Sequence, residues 1–133
     1  GLLFAGANNV ITGKKMPVGV ENGVLTAREI AKLDFRGLDL AVLSACQTGL
    51  GELKEDGVFG LQRGFKKAGA RTLLMSLWSV SDGATQLMMT QFYSALASGQ
   101  TRRQAFRTAQ DAVRNTPEYS SPVFWASFVM LDD

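Results

Sequence analysis

With 133 residues, 46% of them apolar and 20% charged, the chain has the makeup of one globular domain or part of one, long enough to bury a sizeable core. A net charge of +2 gives no electrostatic argument for nucleic acid or a membrane surface. A single cysteine and the absence of histidine exclude an internal disulfide framework and make a tetrahedral zinc site unlikely on residue types alone, so neither metal nor cofactor is expected.

The lone thiol fits a reducing compartment, here taken as the cytoplasm. No apolar run approaches the ~20 residues that span a bilayer, and no signal-peptide pattern is present. The chain opens on Gly1 rather than methionine and enters an apolar run to Ala7, either a strand end or a packed loop. Thr12 to Gly23 reads as loop, with Gly13, Pro17, Gly19 and Gly23. Lys14 and Lys15 lack the GxxxxGK[ST] frame of a phosphate cradle and read as solvated loop. Thr26-Ala27-Arg28-Glu29 has the spacing of a capping box and predicts a short helix from about Ala27 to Leu33, closed near Gly37.

Leu38 to Ala45 is a short continuous apolar run ended by small residues and glycines, which predicts a buried strand. Cys46 sits where that strand stops, either a small buried hydrophobe, as free cysteines usually are, or a thiol presented at the rim as a nucleophile. Gln47 to Gly57 reads as a turn with glycine hinges. A helix is expected from Val58 to Ala68, with Val58, Leu61, Phe65 and Ala68 on one face. Arg63, Lys66 and Lys67 fall off that face as a solvated one, and Gly69 is a C-cap. Thr72 to Trp78 predicts a second buried strand. Strand, helix and strand in this order make a βαβ unit with parallel neighbours. Both strands then point their carboxyl ends to one rim, where ligands gather in open α/β sheets. Cys46 and the turn from Trp78 to Asp82 are thereby expected side by side.

Asp82 is placed to cap a helix running from about Gly83 to Ala97, whose inner face is Met88, Phe92, Ala95 and Leu96. Gly99 ends it. Thr101-Arg102-Arg103-Gln104 is a second capping-box spacing, with a helix to about Arg114 and Ala105, Ala109, Ala112 and Val113 inward. Pro117 and Pro122 bracket a loop, and Phe124 to Leu131 reads as a last strand.

Leu43-Ser44-Ala45-Cys46-Gln47-Thr48-Gly49-Leu50-Gly51 resembles the catalytic-cysteine stretch of CHAT domains, caspase-like peptidases related to separase. The resemblance continues through Gly23 to Ile30, Asp56 to Leu61, Ala68 to Arg71, Ser76 to Asp82 and Trp125 to Phe128, in order and over nearly the whole chain. It implies a caspase-like three-layer α/β/α fold with a mostly parallel sheet. It also implies that residues 1–133 are the C-terminal part of a single such domain, with the catalytic histidine on an earlier segment. Cys46 is then the nucleophile, and its amide forms one half of an oxyanion hole. By resemblance to separase, Asp82 holds a basic P1 side chain, while its bland alternative is the helix cap. Ser44 falls where caspases keep a pocket glutamine, so an aspartate preference is not implied. Trp78 is either core or a wall of the P1 pocket, and Ser76 to Trp78 could pair with an extended substrate.

The resemblance thus implies a cysteine endopeptidase acting on protein or peptide substrates after a basic residue, with helical-repeat (TPR-like) regions in the same polypeptide. The 133 residues alone, lacking the imidazole, are expected to be inactive. Two alternatives stay open. One is a catalytically dead scaffold or interaction module, for which the upstream sequence discriminates. The other is a nucleotide-binding domain, disfavoured because neither a Walker loop nor a complete G-x-G-x-x-G is present.

Overall fold

The computed structural model describes residues 2–3, 13, 24–43 and 57–132. In chain order these hold strand β1 (Leu2–Leu3), β2 (Val24–Leu25), helix α1 (Ala27–Ile30), β3 (Leu40–Leu43), α2 (Gly57–Ala68) and β4 (Thr72–Ser76). Then come α3 (Asp82–Ala97), α4 (Arg102–Arg114), a 3-10 turn (Pro117–Tyr119), α5 (Pro122–Trp125) and β5 (Phe128–Leu131). The described residues cluster into two units, one from within 1–39 and 48–71, the other from within 40–47 and 72–133.

In the first unit, β1 and β2 pair antiparallel, Leu2 opposite Leu25 and Leu3 opposite Val24. The capping box forms: the Thr26 hydroxyl accepts the Glu29 N–H at 3.2 Å, and the Glu29 carboxylate accepts the Thr26 N–H at 2.8 Å. That backbone bond, with the Thr26 hydroxyl beside it, lowers the Glu29 carboxyl from its ordinary value. The helix ends at Ile30, short of the expected Leu33, because the Lys32 and Leu33 amides bond back three residues rather than four. Beyond it, Arg36 grips the Asp34 carboxylate through Nε at 2.8 Å and Nη2 at 2.6 Å, which takes that carboxyl down to about 2.

Helix α2 buries Leu61, Phe65 and Ala68, and Phe65 stacks on Phe35 with centroids 5.5 Å apart. Gly64 lies so close to α1 that a Cβ there would stand 2.8 Å from the Ala27 carbonyl oxygen. The helix closes as the sequence predicts: Gly69 takes φ +105°, the Gly69 amide bonds to Lys66 O and the Ala70 amide to Phe65 O. Lys66 departs from the solvated face expected of it. It is half-buried, and its ammonium donates to the Arg71 carbonyl at 2.7 Å beyond the helix end. Arg63 and Lys67 are exposed.

In the second unit the sheet order is β3-β4-β5. β3 and β4 are parallel, in register from Leu40 opposite Thr72 to Leu43 opposite Met75. β5 runs antiparallel to β4, from Leu73 opposite Leu131 to Ser76 opposite Phe128. The sheet is therefore mixed, one parallel and one antiparallel ladder within an α/β chain. β4 is buried at all five positions, as a central strand must be. Helices α3 and α4 pack on each other around Ala84, Met88, Phe92, Ala105, Ala109 and Val113, in one core with Leu74 and Phe128. Ala105 and Ala109, one turn apart and fully buried, let the two helices approach closely.

Three boundaries differ from the sequence reading, each for a local reason. β4 stops at Ser76 rather than Trp78, because the chain turns at Leu77. The expected proline-bracketed loop contains two short helical pieces, since each proline sits in a first turn where its missing N–H costs nothing. Phe124 and Trp125 therefore belong to α5, and the last strand begins only at Phe128. Among the described residues no helix is long and apolar enough to cross a membrane.

Candidate active site

The parallel ladder sends the carboxyl ends of β3 and β4 the same way. Leu43 stands opposite Met75. Cys46 follows Leu43 by three residues, as Trp78 follows Met75. Cys46 and Ser44, and all but the last residue of the turn expected from Gln47 to Gly57, lie outside the described residues. The described half of the rim is the segment from Ser76 to Asp82.

Ser76 is the last residue of β4. It is 6% exposed, and its Oγ has no hydrogen-bond partner among the described residues. A buried hydroxyl left this way costs roughly 1–3 kcal/mol. The next amide, that of Leu77, donates to the Ser127 carbonyl at 2.7 Å. On the β5 side the chain itself thus takes the Leu77 amide. Val80 returns to the core at 7% exposure and anchors the turn.

Trp78 is 41% exposed, which sets aside the core reading of this residue. Its indole N–H donates to the Val123 carbonyl at 2.9 Å, tying the turn to α5. Val123 is itself 50% exposed.

The cap of α3 is Ser81, whose hydroxyl accepts the Ala84 N–H at 3.3 Å. Asp82 is the first residue inside the helix, so the cap reading of Asp82 is corrected. Both residue types cap well, and the hydroxyl one position earlier is the one that reaches the free amide. An acid in the first turn still complements the helix dipole. The Asp82 side chain is exposed and makes no hydrogen bond or ion pair among the described residues.

Sequence reasoning missed Ser81, Val123 and Tyr119, all of which meet this turn. Ser81 was legible as a cap-forming type beside another. Val123 and Tyr119 arrive from more than thirty residues away, with no periodic or motif signal to place them. Among the described residues no three acidic, cysteine or histidine side chains are grouped to hold a metal ion.

A family model described as the CHAT domain matches residues 1–133. Human tetratricopeptide repeat protein 28 is 33% identical over 108 residues, covering 81% of this chain and 4% of the relative. The mouse protein of the same name is 34% identical over 109 residues, again 81% of the chain and 4% of the relative. The chain thus spans about 4% of the length of the curated relatives it matches. No solved structure matches it.

Proposed function

Since the chain belongs to the CHAT domain family, we propose that it is the cysteine-bearing part of a caspase- and separase-like endopeptidase that cleaves after a basic residue. In this reading residues 1–133 are the C-terminal part of one three-layer α/β/α catalytic domain. It works in the reducing cytoplasm, where a lone thiol stays reduced. TPR-like repeats share the polypeptide, as the name of the two relatives suggests.

A free thiol titrates near ~8.5, so Cys46 needs a base to be a thiolate at neutral pH. That base is an imidazole supplied from outside these residues. The Cys46 sulfur adds to the scissile carbonyl carbon, and the developing oxyanion takes hydrogen bonds from the Cys46 amide and a glycine amide beside the histidine. Collapse breaks the C–N bond, and the imidazolium gives its proton to the leaving amine. Water then adds to the thioester and releases the new carboxylate and the thiol. Asp82 holds the P1 cation. Trp78, Ser76 and Ser44 flank the substrate, and a serine at position 44 supplies no determinant for an acidic P1.

The observation that carries this reading is the exposed Asp82 carboxylate, without a partner among the described residues, in the helix that follows β4, the strand parallel and in register with the one that precedes Cys46. A carboxylate so placed is available to a ligand. The experiment is to assay the full-length protein on matched Arg, Lys, Leu and Asp P1 peptides. Cleavage after Arg and Lys is expected, lost in Cys46→Ala with the melting temperature unchanged. The second reading is a catalytically inactive scaffold or interaction module, told apart from the enzyme by whether a His-Gly pair lies upstream. A folded full-length protein that cleaves none of the peptides would decide for it.

A further inference from the structure

Gly83, the residue after Asp82, marks where a distant part of the chain comes closest to the rim. A Cβ at Gly83 would collide with the Tyr119 hydroxyl. The phenol end of Tyr119 therefore rests on the backbone of the first turn of α3, beside Asp82. Tyr119 closes the 3-10 turn that Pro117 opens. Its ring packs tilted against Phe124, with centroids 5.3 Å apart, and lies half-buried on the core of its unit. The ring is thus held in place from both sides. Its hydroxyl nevertheless makes no hydrogen bond among the described residues, and neither does the carboxylate of Asp82.

Two oxygens without partners among the described residues thus meet at one helical turn, the charged Asp82 carboxylate that belongs to it and the Tyr119 hydroxyl that a fixed ring brings against it at Gly83. A guanidinium presents several N–H donors in a rigid fork and can engage both, whereas an ammonium acts as a single point charge. We propose that the Tyr119 hydroxyl is the second acceptor of the P1 pocket and makes it prefer arginine over lysine. The inference rests on the reading of Asp82 as the P1 acid and adds the residue that tells the two cations apart. Glycine at position 83 is what leaves room for the hydroxyl.

The test uses the full-length protein and peptides that differ only in Arg or Lys at P1. Tyr119→Phe keeps the ring packing and removes one oxygen. It should lower kcat/KM for Arg about tenfold and change that for Lys less than about threefold. Gly83→Ala adds the Cβ that displaces the hydroxyl and should lower the Arg-to-Lys ratio in the same way. Binding of the same peptides to the Cys46→Ala protein should show the same loss of ratio without turnover. An unchanged ratio in Tyr119→Phe, with Asp82→Ala still erasing the basic preference, overturns the role of Tyr119 and leaves Asp82 standing. An unchanged P1 profile in Asp82→Ala overturns the underlying reading, and this inference with it.

Discussion

The two ends of β4 carry the same chemistry and treat it differently. Thr72 and Ser76 lie on one face of the strand, and both are buried. At the amino end, the Thr72 hydroxyl donates to the Asp132 carboxylate, and the Arg103 guanidinium stands 3.9 Å from that carboxylate's other oxygen. At the carboxyl end, the Ser76 hydroxyl has no partner among the described residues. Beyond it come the exposed Trp78 and Asp82, the latter also without a partner among the described residues. One end closes its polar groups into a network. The other leaves them open at a cost in stability. Among the described residues the Thr85 hydroxyl on α3, one turn past Asp82, is also buried without a partner, and such unsatisfied groups near the rim mark it as the candidate for function.

Substitutions at the two ends should therefore separate activity from stability. The largest effect is expected at Asp82. Asp82→Ala should cut kcat/KM for basic P1 peptides by roughly thirty-fold to several thousand-fold, the range for truncating one partner of a desolvated charge pair. Its melting temperature should hold, since Ser81 is the cap. A thermal scan beside a P1 profile reads both quantities. At the closed end the order reverses. Thr72→Val removes the bond to Asp132 and should cost about 1–2 kcal/mol in urea unfolding, with the P1 profile unchanged. A smaller loss, about 1 kcal/mol, is expected for Ser81→Ala, again with preference intact. The smallest loss belongs to Ser76→Ala. Removing a buried oxygen that bonds to nothing should cost no stability and should raise it, by up to about 1–3 kcal/mol. A loss near that of Thr72→Val would mean that Ser76 is satisfied after all, and the contrast between the ends would disappear.

What the sequence made legible was local. Thr26 with Glu29 and Thr101 with Gln104 form the capping boxes their spacing predicts, because both partners lie within one turn. Gly69 and Gly99 end their helices at positive φ, which other residues rarely adopt. The parallel pairing of β3 and β4 followed from two apolar runs separated by a helix. What failed to show was set by distance or by close competition. The pairing of Leu2–Leu3 with Val24–Leu25 joins strands too short to carry a period. Phe124 and Trp125 have strand-forming side chains, yet Pro122 starts a helix beneath them. Ser81 and Asp82 compete for one cap, and geometry chooses. Tyr119 reaches Gly83 across the fold, which no pattern in the chain announces. Of the candidate site, Asp82, Trp78 and Ser76 are placed by the described residues, and Cys46 and Ser44 lie outside them.

Covalent trapping tests the central claim most directly. The full-length protein is treated with peptidyl chloromethyl ketones that differ only in Arg or Asp at P1, and the modified residue is mapped by mass spectrometry. The account predicts an adduct on Cys46, formed at least about tenfold faster with Arg and slowed to the rate of the Asp reagent in Asp82→Ala. Equal labelling by both reagents, or an adduct that avoids Cys46, would contradict it.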